Sequence, residues 1–128
     1  MDIIPQCRDD SLSPHSPLMA WIHYILDATA AFRRPLAYNT ETQVMLERQG
    51  FVDIKHEVIE IPLNAWTSDP HTKNVGRWYQ LGLIQGLEAL TLAPMTRMRG
   101  WQKEDVDQLT QEVRRELCNG KVHAFCNM

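Results

Sequence analysis

Apolar residues recur at helical spacing in several parts of this chain and at alternate positions in one. Leu18, Trp21, Ile22, Ile25, Ala28 and Phe32 fall on one face of a helix, with Leu26 at its edge and His23 on or beside it. Ser16-Pro17 in front reads as an N-cap and a proline at the first helical position, where a missing amide costs nothing. Arg33-Arg34-Pro35 ends the helix with cations at its negative pole. A shorter helix is expected from Thr40, with Thr40 and Gln43 as a capping box and Gly50 as the stop. Asp69-Pro70 opens a long helix expected to run to residue 93, where Pro94 terminates or kinks it. Val106, Leu109, Val113 and Leu117 define a last helix over residues 103–117, with Glu104 and Asp105 in its first turn and Gly120 as its stop.

Between the second and third helices, residues 51–58 (FVDIKHEV) alternate with period two, as a half-buried strand does. Ile59 and Ile61 leave that alternation, which predicts a bulge or change of face near Val58, and Pro62 closes the strand. Residues 1–15, rich in Pro, Ser and Asp, read as an irregular lead-in. The order describes a mostly helical α/β fragment with one strand. A lone strand leaves its amides unpaired, so it calls for neighbours from elsewhere.

Composition changes the picture mainly by exclusion. The 128 residues form one domain's worth of chain, 44% hydrophobic, with a formal charge of −3. That charge argues against general nucleic-acid binding, which rests on neutralising many phosphates. The start lacks a basic segment followed by an apolar run, so no secretory signal is expected. No stretch approaches the ~18 apolar residues of a bilayer span. Cys7, Cys118 and Cys126, three cysteines without C-x-x-C spacing, suit a reducing cytoplasmic or nuclear setting better than a disulfide framework.

Candidate chemistry is sparse. The glycines stand at 50, 76, 82, 86, 100 and 120, with no G-x-G pair and none before residue 50. A backbone cradle for a nucleotide-like cofactor needs closely spaced glycines where a strand enters a helix, so this chain alone is expected to hold none. Gly82 and Gly86 form a G-x-x-x-G step whose plainer reading is tight packing within the molecule. Cys118, His123 and Cys126 supply three metal-ligand types where a structural zinc site needs four, so no metal is expected. Trp78, Tyr79, Arg97, Trp101 and His123 are the candidates for an apolar small-molecule surface, because such pockets combine aromatic walls with a few polar tips. Core packing and a carboxylate partner for Arg97 are the bland alternative.

Several short runs nevertheless carry a resemblance. IPLNAW (61–66), DPHTKNVGRW (69–78), GLEALTLAPMTR (86–97), GWQKEDV (100–106), VRREL (113–117) and KVHAF (121–125) are similar to the C-terminal part of fungal LaeA-like methyltransferases. RDDSLSP (8–14), Trp21 and RPLAYNTETQVMLERQGFVDI (34–54) resemble the segment after that family's fifth strand. The resemblance covers nearly the whole chain, and Gln102 departs from the family's usual Ser or Thr cap. It implies the C-terminal portion of a Rossmann-like, S-adenosylmethionine-dependent fold of secondary metabolism. Residues 51–61 would be its sixth strand, which pairs with the fifth and seventh. The family's methyl-donor residues lie upstream and have no counterpart to carry over. Its last strand is expected to lie past the end of this chain.

Three readings of function follow. The first is a methyltransferase relative that transfers no methyl group alone and acts as a remnant or a docking subunit, in a homodimer or with a complete relative. The second is a cofactor-free isomerase or cyclase using Tyr79, Arg97 or His123 for acid–base work. The third is part of an active small-molecule methyltransferase, with further coding sequence upstream of Met1.

Overall fold

The computed structural model describes residues 3–33, 36 and 41–128. Four helices carry the chain: α1 (Pro17–Ala31), α2 (Thr42–Arg48), α3 (Pro70–Arg99) and α4 (Lys103–Leu117). Two short strands, β1 (Glu60–Pro62) and β2 (Phe125–Asn127), complete it. The helix starts obey local chemistry. Ser16 Oγ accepts from Met19 N–H at 3.3 Å, and Asp69 Oδ2 accepts from Thr72 N–H at 2.7 Å. Glu116, on α4, reaches across to accept from Leu18 N–H at 2.7 Å, satisfying another amide of α1's first turn.

α1, α3 and α4 pack on one another. Their apolar stripes meet in a core where Leu87, Met95, Val106 and Val113 are completely buried. Trp21, Ile22 and Ile25 lie on the expected face of α1, but Phe32 does not. It is the C-cap residue of α1, half exposed, and Arg33 follows it in the left-handed region. His23 is exposed, off the buried stripe. α4 has the bounds its stripe predicts, yet Gly120 is not its stop. The helix ends at Cys118, whose N–H bonds back to Arg114 O and Glu116 O. The expected Thr40 cap of α2 lies outside the described residues, while Gly50 takes the expected left-handed φ of 90°.

Pro94 neither ends α3 nor opens it. The helix continues to Arg99 and stops at Gly100, φ 66°. Proline removes one bond, the one that would reach the carbonyl of exposed Leu90. Thr96 Oγ1 on Leu92 O (2.7 Å) and Thr91 Oγ1 on Leu87 O (2.5 Å) bind the carbonyls on either side.

The largest departure from expectation concerns the sheet. Residues 51–58 form no strand and are almost all exposed, Val52 at 82%. Their period-two pattern has no layer on either side to cover it, and Asp53 breaks the extended run with φ 56°. Pairing begins where the chain finds a partner. Ile59 and Met128 exchange two hydrogen bonds of 2.8 Å, and β1 then runs antiparallel to β2, Ile61 opposite Cys126. On the other edge of β2, Gln6 and Phe125 exchange two bonds of 2.9 Å. The neighbours missing from the sequence pattern are thus the two ends of this same chain.

Glycine packing also differs from expectation. A Cβ on Gly82 would meet nothing within 4 Å, and one on Gly86 only Leu90 of its own helix. The close approach is at Gly76, where a Cβ would lie 2.2 Å from Asn64 O. α3 therefore crosses the chain after β1 through Gly76, and the G-x-x-x-G step faces outward.

Candidate functional site

A cavity of about 240 Å³ lies between α1, α3 and the sheet. Trp21, Ile22 and Ile25 from α1, Tyr79, Leu83 and Leu90 from α3, and Cys126 from β2 are among its walls. Helical spacing produces this wall on α3, because residues 79, 83 and 90 follow one face. Among the described residues no charged side chain lines the cavity. The Trp21 indole N–H is already committed to Thr91 Oγ1 at 2.7 Å. Among the described residues, Tyr79 and Cys126 are the other lining residues that carry a side-chain heteroatom. Burial, and after it the neighbouring Cys126, push the Tyr79 phenol up to about 12, so it keeps its proton at neutral pH.

His123 stands elsewhere, on the outer side of the sheet. Its Nδ1 meets Asp9 Oδ2 at 2.5 Å, and its backbone N–H donates to Ser11 Oγ at 2.8 Å. Hydrogen bonds from Ser11 and then His123 hold the Asp9 carboxyl down at about 2. The imidazole packs against Trp66 with ring centroids 5.1 Å apart, and Trp66 is fixed by Nε1–H donating to Ala124 O at 2.9 Å. Arg8 lies over the Phe125 ring and pairs with Glu60. These side chains border a shallow hollow of about 230 Å³. A carboxylate on Nδ1 sets the imidazole so that Nε2 points away as an acceptor, the geometry of an oriented base.

The five residues singled out from sequence thus stand apart. Tyr79 is in the cavity and His123 in the Asp9 hollow. Trp101 packs edge-on against Tyr24, centroids 5.1 Å apart, beside a wide groove between α1 and α4. Arg97 is exposed near the end of α3 and makes no ion pair among the described residues. Arg99 does so instead, with Asp27 at 2.8 Å and over the Tyr24 ring. Trp78 projects from α3, 69% exposed. Sequence reasoning missed Asp9, Ser11 and Trp66. Asp9 and Ser11 are more than a hundred positions from His123, in a segment read as a lead-in. Among the described residues no group of three His, Cys, Asp or Glu side chains is placed to hold a metal. No helix is long and apolar enough to cross a membrane.

The described lining of this cavity does not fit a methyl donor of the S-adenosylmethionine type. That molecule carries a carboxylate, an ammonium, a ribose diol and an adenine, each requiring polar partners. The described lining of the cavity is almost wholly apolar. The N-terminus of α3, the natural place for a carboxylate, is already occupied by the chain's own Asp69.

No protein-family model matches the chain. No solved structure matches it either. The similarity is to fungal regulators of secondary metabolism. The secondary metabolism regulator LAE1 of Cochliobolus heterostrophus is 47% identical over 129 residues, covering 100% of this chain and 42% of that protein. The secondary metabolism regulator laeA of Monascus pilosus is 39% identical over 98% of this chain and 34% of its own length. The protein-methionine methyltransferase laeA of Emericella nidulans is 36% identical over 98% of this chain and 33% of its own length. The chain is therefore LaeA-like throughout, and it spans between a third and about two-fifths of the relatives it matches.

Proposed function

We propose that this chain is the substrate-side portion of a LaeA-like methyl-transfer protein of fungal secondary-metabolism regulation, and that it works only when joined to the portion of its relatives it does not span. The observation that carries this reading is the pairing of end-to-end LaeA-like sequence with an apolar cavity that offers a methyl donor no polar cradle. On this reading β1, β2 and the Gln6 segment are one edge of a larger Rossmann-like sheet. The complementary portion docks on the outward side of α3, where Trp78 is exposed and Gly82 and Gly86 leave the backbone open. Glycines at i and i+4 cost helix stability and allow another element to come close.

Calorimetry tests this directly. S-adenosylmethionine titrated into the chain alone should give no binding heat. After mixing with the remaining portion of Cochliobolus heterostrophus LAE1, a 1:1 complex should form and bind it. Micromolar binding by the chain alone, or the absence of any complex, refutes the reading. A homodimer without hetero-association would identify the partner as a second copy and refute it equally.

One observation favours a second reading, cofactor-free acid–base chemistry: the oriented Asp9–His123 pair beside Trp66. It involves neither Tyr79 nor Arg97, which lie apart from the hollow. Unchanged product formation in His123→Ala, from whichever natural-product intermediate is turned over, would sink it.

A further inference from the structure

We propose that the groove between α1 and α4 docks a basic helix of a partner protein, one that carries arginines seven positions apart for Asp105 and Glu112. The groove, of about 520 Å³, has a lining that mixes polar with apolar surface. One stripe from each helix builds it. Asp105, Gln108, Leu109 and Glu112 fall at i, i+3, i+4 and i+7 on α4, and Pro17, Ala20 and Tyr24 follow one face of α1. Pro17 and Ala20 are short and leave room beside Leu109, while Tyr24 and Trp101 add aromatic wall. Among the described residues no α3 side chain lines this groove, so the proposal goes beyond the docking reading and does not rest on it.

The two carboxylates set the charge of the lining. Among the described residues no Lys or Arg borders the groove; His15 does. Asp105 Oδ2 accepts from Gln102 N–H at 3.2 Å and Glu112 Oε1 from Gln108 Nε2 at 3.3 Å, neutral donors that leave both charges in place. Arg99 and Lys103, the cations at either side of Trp101 in sequence, are committed to Asp27 and Asp107, each at 2.8 Å. Arg99 also lies 4.8 Å over the Tyr24 ring, so this wall already holds one guanidinium between an aromatic face and a carboxylate. Arginine suits the site better than lysine, because its planar fork meets a carboxylate bidentately and stacks on aromatic rings.

Spacing selects a helix as the occupant. Asp105 and Glu112 stand two turns apart, about 10 Å along the axis. Arginines at i and i+7 of a helix lying along the groove match that distance. Same-face residues of an extended peptide lie about 7 or 13 Å apart and do not. A single metal ion, bound within ~2.6 Å of its ligands, cannot serve both carboxylates. An anionic partner, nucleic acid included, is repelled.

The test is fluorescence anisotropy of a labelled, alanine-rich peptide with arginines seven apart and a leucine between them for Leu109, about 16 residues long to sustain a helix. At about 0.1 M salt the whole chain should bind it saturably, and less tightly as salt rises. Citrulline in place of both arginines keeps the shape, removes the charge and should weaken binding about tenfold. Asp105→Asn and Glu112→Gln should each weaken it about three- to fivefold, as exposed ion pairs do, with the far-UV circular dichroism of the parent. If Asp105→Asn fails to fold through its part in the α4 cap, Glu112→Gln carries the test. No saturable binding overturns the proposal, as does full affinity in both variants. Equal affinity for the citrulline peptide, or for one with arginines five apart on different sides of its helix, overturns it as well. Displacement of the peptide by the complementary portion of LAE1 would assign the groove to the relatives' own chain and overturn it too. A complex with that portion that leaves peptide binding unchanged supports it; peptide binding without that complex sinks only the docking reading.

Discussion

The same substitution, glycine to alanine, should have opposite effects at two places on α3. At Gly76 a Cβ would sit 2.2 Å from Asn64 O and 3.0 Å from both Asn64 C and Pro62 Cγ. Ordinary contact begins near 3.4 Å, so α3 or the Asn64 backbone must retreat by about an ångström. The backbone is poorly placed to yield. Leu63 N–H bonds to Ala124 O at 2.9 Å, and Asn64 Nδ2 donates to Asn119 O and Val122 O at 3.2 and 3.0 Å. Overpacking a tight core typically costs ~1–3 kcal/mol, and a clash with fixed backbone belongs at the upper end. Alanine returns ~1 kcal/mol of helix propensity. The net expectation for Gly76→Ala is a loss of about 2 kcal/mol. For a chain of this size that lowers Tm by roughly 8 °C.

At Gly82 nothing lies within 4 Å, so Gly82→Ala should add up to ~1 kcal/mol. Urea unfolding followed by circular dichroism measures both, provided the m-values match the parent's. If Gly76→Ala lies within about 0.5 kcal/mol of the parent, the crossing at Asn64 is wrong. If Gly82→Ala destabilises, the G-x-x-x-G step is packed inside the molecule after all.

Other expectations follow from the same geometry. Thr91→Val should cost about 1–3 kcal/mol in urea unfolding, because it leaves the buried Trp21 N–H without an acceptor. Ser16→Ala should cost ~1 kcal/mol through loss of the α1 cap, read the same way. Asp9 and Asp69 are both held below the ordinary carboxylate range by hydrogen bonds in the folded chain, Asp9 at about 2. Their contribution is therefore complete above the unfolded value and is lost as pH falls from about 4 toward 2. The urea midpoint measured against pH should decline in that window, and Asp9→Asn should make the decline shallower.

Much of the helical frame was legible because its signals are local. Ser16-Pro17 and Asp69-Pro70 announce helix starts through groups within three residues of each other. The α4 stripe needs only its own period. The sheet was illegible because β2 is three residues long and its partners lie at both ends of the chain. The alternating run 51–58 misled for a related reason. Alternation reports a half-buried strand only if something covers one face, and nothing among the described residues does. Pro94 and the G-x-x-x-G step show the limit of single residues as signals. Pro94 removes the bond to the carbonyl of Leu90, an exposed residue, and the helix runs on to Arg99. The glycine that packs closely, Gly76, stands in no motif. As for the candidate site, Tyr79 was visible as an aromatic within a long helix. The Asp9–Ser11–His123 cluster joins residues whose spacing carries no pattern.

The central claim is that this LaeA-like chain presents the outward side of α3 to the portion of its relatives it does not span. Sedimentation velocity of the chain mixed equimolar with that portion of LAE1 tests it most directly, run with the parent and with Gly82→Leu. A Cβ at Gly82 meets nothing within 4 Å, so the variant should fold as the parent does. The account predicts a 1:1 complex with the parent and two separate species with Gly82→Leu. A complex that survives the leucine, or no complex with either chain, would contradict it.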